Sequence, residues 1–112
     1  MTYEEIVAEV QSLYDGADIS SINEHLAVEI DIRGEGEGAF YIEVADGHLY
    51  VAPYEYYDRD VILTISADVL FDIITCRRDI EDLYQEGKIH ARGWLDKAFL
   101  LQEIRIKNNS VQ

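Results

Sequence analysis

Hydrophobic residues near the amino terminus recur at the spacing of an amphipathic helix. They are Ile6, Val7, Val10, Leu13 and Tyr14. Thr2 and Glu5 stand three positions apart at the start of this stripe, which is the spacing of a capping box. Asp15-Gly16 follows the stripe and predicts its end. The pattern therefore predicts a first helix that packs one face on the rest of the chain.

The next segments alternate apolar and polar residues, as half-buried strands do. HLAVEIDIR predicts a strand with one buried face and one face in water. The expected buried residues are Leu26, Val28, Ile30 and Ile32, and the expected wet ones are Ala27, Glu29, Asp31 and Arg33. The glycines of Gly34 to Gly38 predict a hairpin turn, and Asp46-Gly47 predicts a second turn between two further strands. We expect these three strands to form an antiparallel meander.

The second half of the chain mixes strands and helices. VILTIS predicts a fourth strand, and Ser66 is placed to cap a helix that Arg77 and Arg78 follow. Asp79 is expected to cap a short helix that ends at Gly87, and KIHARGW predicts a fifth strand. This order predicts an α+β fold, in which helices pack on one face of a five-stranded sheet.

A last helix is expected from about Leu95 to Lys107, and it is unusually apolar. Its polar residues Asp96, Glu103 and Lys107 share a narrow strip on the helix. The apolar remainder consists of Leu95, Ala98, Phe99, Leu100, Leu101, Ile104 and Ile106. A half-buried helix does not need so much apolar surface, so a ligand or a second subunit is expected to complete its burial. The pattern does not choose between these two.

Composition and charge limit the classes of molecule that the chain is expected to bind. The 112 residues suit a single domain, 1–112, and 23 Asp and Glu against nine Lys and Arg give a formal net charge of −14. This charge disfavours a nucleic-acid partner and firm binding to anionic lipid, whereas a basic protein partner remains open.

We expect no targeting signal in this chain. Its start is acidic, its end SVQ is not a peroxisomal signal, and no apolar run is long enough to span a bilayer. Cys76 is the sole cysteine, so no internal disulfide can form. We expect a cytoplasmic protein without stable membrane insertion.

Catalytic chemistry has little support in the sequence. His25, His48 and His90 are scattered over separate strands, and no Ser or Cys stands in a nucleophile motif. The histidines and Cys76 lack the paired spacing of a zinc site, so no metal is expected. GEGEG lies between two strands and carries two glutamates, which disfavours a phosphate loop. We expect neither a cofactor nor enzymatic activity.

Three segments carry a family resemblance. GAFYIEVADGHLYV, DVILTISADVLFDIIT and DLYQEGKIHARGW, in this order, resemble the sterol carrier protein 2 (SCP2) family of lipid-binding domains. The resemblance covers about Leu26 to Leu101. The chain departs from it at Cys76, where the family often has glycine, and at Arg59-Asp60, where the family often has a Pro-Asp pair.

The resemblance implies an apolar tunnel between the sheet and its helices. It also implies a non-catalytic role in binding or carrying a fatty acid, fatty acyl thioester, sterol-like or quinone-type lipid. The residues expected to line the tunnel are Phe40, Ile42, Leu70, Phe71, Ile74, Leu83, Tyr84, Trp94, Phe99, Leu100 and Ile104. Each of them also suits an ordinary packed core. Arg77, Arg78 or Lys97 can pair with an acidic head group, or simply be solvated at helix ends.

An interaction module is the alternative function. Four tyrosines, Tyr50, Tyr54, Tyr56 and Tyr57, lie in one short span, and tyrosine is common in protein interfaces. Together with the apolar final segment, they predict a homodimer or an accessory subunit that docks on a partner. A lipid carrier predicts a cavity that holds a ligand, whereas an interaction module predicts a filled interior and an exposed apolar patch.

Overall fold

The computed structural model describes residues 1–54 and 58–107. Its elements are α1 (Tyr3–Tyr14), β1 (Leu26–Ile32), β2 (Gly38–Ala45), β3 (His48–Ala52), β4 (Val61–Ile65), α2 (Ala67–Ile74), α3 (Ile80–Gln85), β5 (His90–Gly93), α4 (Leu95–Ala98) and a 3₁₀ helix (Phe99–Glu103). The strands form one sheet in the order β3-β2-β1-β4-β5. Strands β1 and β4 are parallel and the other neighbours are antiparallel. The predicted α+β fold with a five-stranded sheet is confirmed.

Helix α1 begins as the sequence predicts. The Thr2 side chain accepts a hydrogen bond from the Glu5 backbone N–H, and the Glu5 side chain accepts one from the Thr2 N–H. This capping box satisfies two of the backbone donors that a helix start leaves without intrahelical partners. At the other end, Asp15 has extended backbone angles and stops the helix.

Strands β2 and β3 form the predicted hairpin. Asp46 and Gly47 both have positive φ angles, 53° and 78°, and they connect the paired residues Ala45 and His48. Two consecutive left-handed residues give the turn type whose twist matches a two-residue hairpin. Asp-Gly is a favoured sequence for such a turn, so local chemistry fixes the register of these strands.

The inner face of the sheet carries the core. Alternate residues of β1, β2 and β4 point to this face and pack against all the helices. The prediction that the outer face of β1 lies in water is wrong in part, because Ala27 is fully buried and Glu29 is 3% exposed. Arg59 lies beside Glu29 on that outer face, with 3.3 Å between its Nε and Glu29 Oε1. The outer face is therefore partly covered.

Helices α2 and α3 follow β4 and are joined by residues 75–79, here called the α2–α3 corner. Ser66 accepts a hydrogen bond from the Val69 N–H at 3.2 Å, so the predicted cap of α2 is confirmed. The predicted cap of α3 is wrong in its chemistry, since the Asp79 side chain makes no capping bond. The Ile80 N–H instead donates to Gln102 Oε1, from a segment that follows much later in the chain.

The predicted long final helix is also wrong. A single turn of α-helix passes into the 3₁₀ helix, and Ile104 then adopts extended backbone angles. Arg105 pairs with Asp18 through two backbone hydrogen bonds of 2.8 and 2.9 Å. Ile104 and Ile106 are buried whereas Arg105 between them is exposed, so alternation typical of a strand replaces helical periodicity. None of the described helices is both long and apolar enough to cross a membrane.

Candidate ligand-binding site

An apolar layer separates the sheet from the helices. On the sheet side it contains Phe40 and Ile42 of β2, both fully buried. On the helix side it contains Leu70 of α2 and Leu83 of α3, which are also buried. These side chains belong to one continuous cluster of buried hydrophobic residues. The layer offers a hydrophobic surface to any molecule that enters between the sheet and the helices.

The residues expected to line a tunnel fall into three groups. Six are almost completely buried in this cluster, namely Phe40, Ile42, Leu70, Ile74, Leu83 and Ile104. Phe71 and Leu100 are half-buried and pack against it. Tyr84, Trp94 and Phe99 are exposed. The fold thus brings eight of the eleven residues to one layer and leaves the other three at the surface.

The segment from α4 to Ile106 closes one side of the apolar layer. Ala98, Leu101 and Ile104 point inward and are buried. Gln102 ties this segment to the α2–α3 corner, because its Nε2 donates to the Arg78 carbonyl at 2.8 Å. Its end is tied to the residues after α1 by the bridge between Asp18 and Arg105. The apolar final segment is therefore a cover, held by its buried apolar side chains and by polar contacts at its edges.

A cavity of about 370 Å³ opens beside the carboxyl end of α1. Its walls come from α1, the loop after it, and the edge strand β3. The lining residues are Gln11, Tyr14, Asp15, Gly16, Ala17, Ile19, Gly47, His48, Leu49 and Val51. The Gln11 side chain donates to the Val51 carbonyl at 3.1 Å and so links α1 to β3 at this site. None of the predicted tunnel residues lines this cavity.

Tyr14 joins this cavity to the apolar layer. It is 4% exposed and belongs to the core cluster, yet it is also one of the residues that line the cavity. Its hydroxyl is buried without a hydrogen-bond partner among the described residues. Burial, with a smaller contribution from nearby Cys76, raises the pKa of Tyr14 far above its ordinary value. An unsatisfied buried hydroxyl costs about 1–3 kcal/mol.

Sequence reasoning missed this site for an identifiable reason. Tyr14 occupies a core-facing position of the α1 stripe, where an aromatic residue is usually packing. One signal was available, because Tyr carries a polar atom that the other residues of the stripe lack. The cavity walls Leu49 and Val51 belong to a distant strand, so their approach to Tyr14 depends on the tertiary fold.

The basic residues considered for an acidic head group are engaged elsewhere. Arg77 Nε lies 3.5 Å from Asp72 Oδ1, and Arg78 forms an ion pair with Glu86. Lys97 Nζ lies 2.6 Å from Glu24 and also donates to the His25 carbonyl. Lys97 is placed over the ring of exposed Trp94, 5.2 Å from its centroid. These are contacts of the protein surface, away from the buried layer.

The histidines remain dispersed in the fold. His25 Nε2 lies 2.7 Å from Glu43 on the outer face of the sheet, and His48 contacts the Asp46 carbonyl. His90 is exposed, as its alternation with Ile89 and Ala91 predicts. Within residues 1–54 and 58–107, no three metal-ligating side chains come together. Cys76 is half-buried, with a φ angle of 59°.

Comparison with known proteins rests on structure. No protein-family model matches the sequence, and no curated protein matches it. One similar structure is the sec-alkylsulfatase Pisa1 from Pseudomonas sp., with a TM-score of 0.73 and 12% identity. The match covers 85% of this chain but 15% of the sulfatase, so this chain corresponds to a small part of that enzyme.

Two further structures match along most of their own length. Palmitated SCP2L2 from Aedes aegypti has a TM-score of 0.64 and 20% identity, over 92% of this chain and 93% of that one. The ubiquinone synthesis protein UbiJ-SCP2 has a TM-score of 0.66 and 15% identity, over 89% of this chain and 90% of that one. These matches show that the chain has an SCP2-like fold.

Proposed function

We propose that the chain binds a hydrophobic small molecule non-covalently between its sheet and its helices, and holds or carries it without catalysing a reaction. The observation that carries this proposal is the continuous apolar layer beneath a separate carboxy-terminal cover. A protein of the same fold, SCP2L2, is palmitated in its solved structure. The ligand classes that we consider are a fatty acid, a fatty acyl thioester, a sterol-like lipid and a quinone-type lipid.

Burial of an alkyl chain is the main source of affinity in such a role. Each buried methylene contributes about 0.8 kcal/mol, so about ten contribute roughly 8 kcal/mol before the costs of association. A dissociation constant in the micromolar range requires about 8 kcal/mol after those costs, so the ligand must bury more than about ten methylenes. Because the apolar side chains pack on one another, a ligand must displace contacts between them. We propose that the cover moves, since its α-helix is a single turn and passes through a short 3₁₀ helix into extended backbone.

The proposed contacts follow from this movement. The ligand chain lies against the six buried residues of the predicted tunnel set, and Phe71 and Leu100 complete its walls. Tyr84, Trp94 and Phe99 contact the ligand at the rim as it enters. Their exposed rings combine an apolar body with contact to water, which suits the mouth of a lipid site.

Native mass spectrometry of freshly purified protein tests the proposal, together with binding of the neutral fluorescent probe Nile red. We expect a co-purified lipid or saturable Nile red binding. A ligand-free mass together with no saturable binding would contradict the proposal.

A matched pair of variants locates the site. Ile104→Trp enlarges a buried side chain beneath the cover, whereas Ile62→Trp enlarges one on the outer face of the sheet. We expect Ile104→Trp to weaken Nile red binding several-fold and Ile62→Trp to leave it unchanged. Circular dichroism confirms that each variant is folded. Equal effects of the two substitutions would place the probe outside the apolar layer.

The second candidate function is the interaction module. It is favoured by exposed tyrosines on the outer face of the sheet. Tyr50 and Tyr54 are 46% and 62% exposed, and the Tyr54 ring lies 5.5 Å from that of Tyr41. The other two tyrosines of the predicted span, Tyr56 and Tyr57, lie outside the described residues. A homodimer through this face predicts a mass that doubles with concentration in light scattering. Tyr50→Ser with Tyr54→Ser is then expected to restore the monomer.

A further inference from the structure

The Tyr14 hydroxyl differs from that of the other tyrosine on α1. Tyr3 donates a hydrogen bond to the Ala39 carbonyl, so its hydroxyl is satisfied within the protein. The Tyr14 hydroxyl is buried and has no partner among the described residues. Buried tyrosine hydroxyls ordinarily find a partner, and each exception calls for an explanation. A ligand that forms a hydrogen bond with Tyr14 would provide such an explanation.

The position of Tyr14 suits a ligand contact. The cavity that Tyr14 helps to line has a volume of about 370 Å³, which lies within the range of small-molecule sites. Apolar side chains of Ile19, Leu49 and Val51 form much of the wall. The hydrogen bond from Gln11 to the Val51 carbonyl is the side-chain link that bridges α1 and β3 there. Because the hydroxyl is buried, a ligand reaches it from this cavity only when α1 and β3 separate.

The charges around the cavity disfavour an anionic partner for this hydroxyl. Asp15 lines the cavity, and no Lys or Arg is found among its described lining residues. The Lys107 side chain lies beside Gly16 at the rim, where it is exposed. Placing a carboxylate at the depth of the Tyr14 hydroxyl removes its charge from water without a cationic partner at that depth, which is costly. An uncharged oxygen avoids this cost.

We infer that the Tyr14 hydroxyl binds an uncharged oxygen, either a hydroxyl or a carbonyl, at the polar end of a ligand whose apolar part lies between α1 and the sheet. This inference rests on the proposed function and narrows it to neutral, oxygen-bearing lipids. Tyrosine suits either group, because its hydroxyl donates to a carbonyl and can also accept from an alcohol.

Displacement of Nile red by three ligands of equal chain length tests this inference. They are dodecan-1-ol, dodecane and dodecanoate, each measured at neutral pH. For the unmodified protein we expect dodecan-1-ol to bind about tenfold more tightly than dodecane, which is the effect of one neutral hydrogen bond formed in an apolar site. We also expect dodecanoate to bind more weakly than the alcohol. These comparisons need no substitution.

Tyr14→Phe and Tyr3→Phe are the matched variants on α1. Tyr14→Phe is expected to abolish the preference for the alcohol over dodecane while leaving the melting temperature of the free protein unchanged or raised. Tyr3→Phe is expected to keep the preference and lower the melting temperature, because it removes a satisfied hydrogen bond. If Tyr14→Phe retains the preference, or if dodecanoate binds most tightly, the inference is overturned while the proposed function stands. If none of the ligands binds and Nile red does not bind, both are overturned.

Discussion

The side-chain carbonyl of Gln102 accepts a hydrogen bond from the backbone N–H of Ile80 at 2.9 Å. This N–H is the first of α3, and Asp79 before it supplies no side-chain cap. Gln102 therefore caps a helix from a distant part of the chain. Its amide also donates to the Arg78 carbonyl. One side chain thus fastens the carboxy-terminal cover to the corner between α2 and α3.

Replacing Gln102 tests this fastening. Gln102→Ala removes the bond from the Ile80 N–H and the bonds from the side-chain amide to the carbonyls of Arg78 and Ile73. These partly buried backbone groups lose a partner, so we expect a loss of about 1–3 kcal/mol in the free energy of unfolding. Gln102→Glu is the matched control, since it retains an acceptor for Ile80 but loses the donor to Arg78. We expect its free energy of unfolding to lie between those of the unmodified protein and Gln102→Ala. Urea unfolding followed by circular dichroism measures the free energy of unfolding of each variant. A loss below about 0.5 kcal/mol for Gln102→Ala would contradict the role of Gln102 in fastening the cover.

The backbone at Cys76 provides a second prediction. Its φ angle of 59° lies in the left-handed region, which disfavours a residue with a Cβ. Cys76→Gly and Cys76→Ala both remove the thiol, but Ala keeps the Cβ. We therefore expect the Gly variant to be more stable than the Ala variant by about 1 kcal/mol. The difference between their thermal unfolding midpoints reports this cost, and equal midpoints would contradict it.

The ion pair on the outer sheet face gives a third prediction. Glu29 is 3% exposed, and Arg59 is its cationic neighbour at 3.3 Å. Removing the cation leaves a buried carboxylate with less compensation, so we expect Arg59→Ala to lower the free energy of unfolding by about 1–3 kcal/mol. Adding Glu29→Gln to that variant is expected to recover part of the loss. A double-mutant cycle in urea measures the coupling, and additive effects would show that the pair is energetically independent.

The alkaline stability of the protein gives a fourth prediction. Burial raises the pKa of Tyr14, so the folded chain keeps a proton that the unfolded chain releases above about pH 10. The unfolded state then binds fewer protons, and the free energy of unfolding falls as pH rises, by at most about 1.4 kcal/mol per pH unit. This contribution is fully present below about pH 10.

Tyr14→Phe lacks this contribution, which makes it the control for the pH dependence. Its stability is expected to fall less steeply than that of the unmodified protein between about pH 10 and pH 11. Burial also raises the pKa of Tyr3 and Tyr41, and both remain in the variant, so the difference between the two proteins isolates Tyr14. Parallel urea midpoints over this interval would contradict the assignment.

Local signals in the sequence were sufficient for much of the fold. The capping box at Thr2, the Asp46-Gly47 turn and the Ser66 cap depend on neighbouring residues only, and all three are confirmed. The alternating residues of β1 predicted its inner face correctly for the same reason. The predicted interactions that failed depend on partners far along the chain.

The final segment and Glu29 illustrate this limit. Ile104-Arg105-Ile106 fits a helical pattern as well as a strand pattern, and the backbone bridge to Asp18 decides between them. Glu29 reads as an exposed charge until Arg59 is placed beside it. The same holds for the candidate site, because the cavity at Tyr14 exists only once Leu49 and Val51 of β3 are brought against α1.

The most direct test of the central claim is a methyl NMR titration of the unmodified protein with dodecan-1-ol. Ile42, Leu70 and Ile104 report on the apolar layer, and Ile62 on the outer sheet face is the internal control. Ligand binding between the sheet and the helices predicts saturable shifts of the three layer methyls and an unchanged Ile62. Layer methyls that stay fixed at saturating ligand, or shifts confined to surface residues, would contradict binding in the layer.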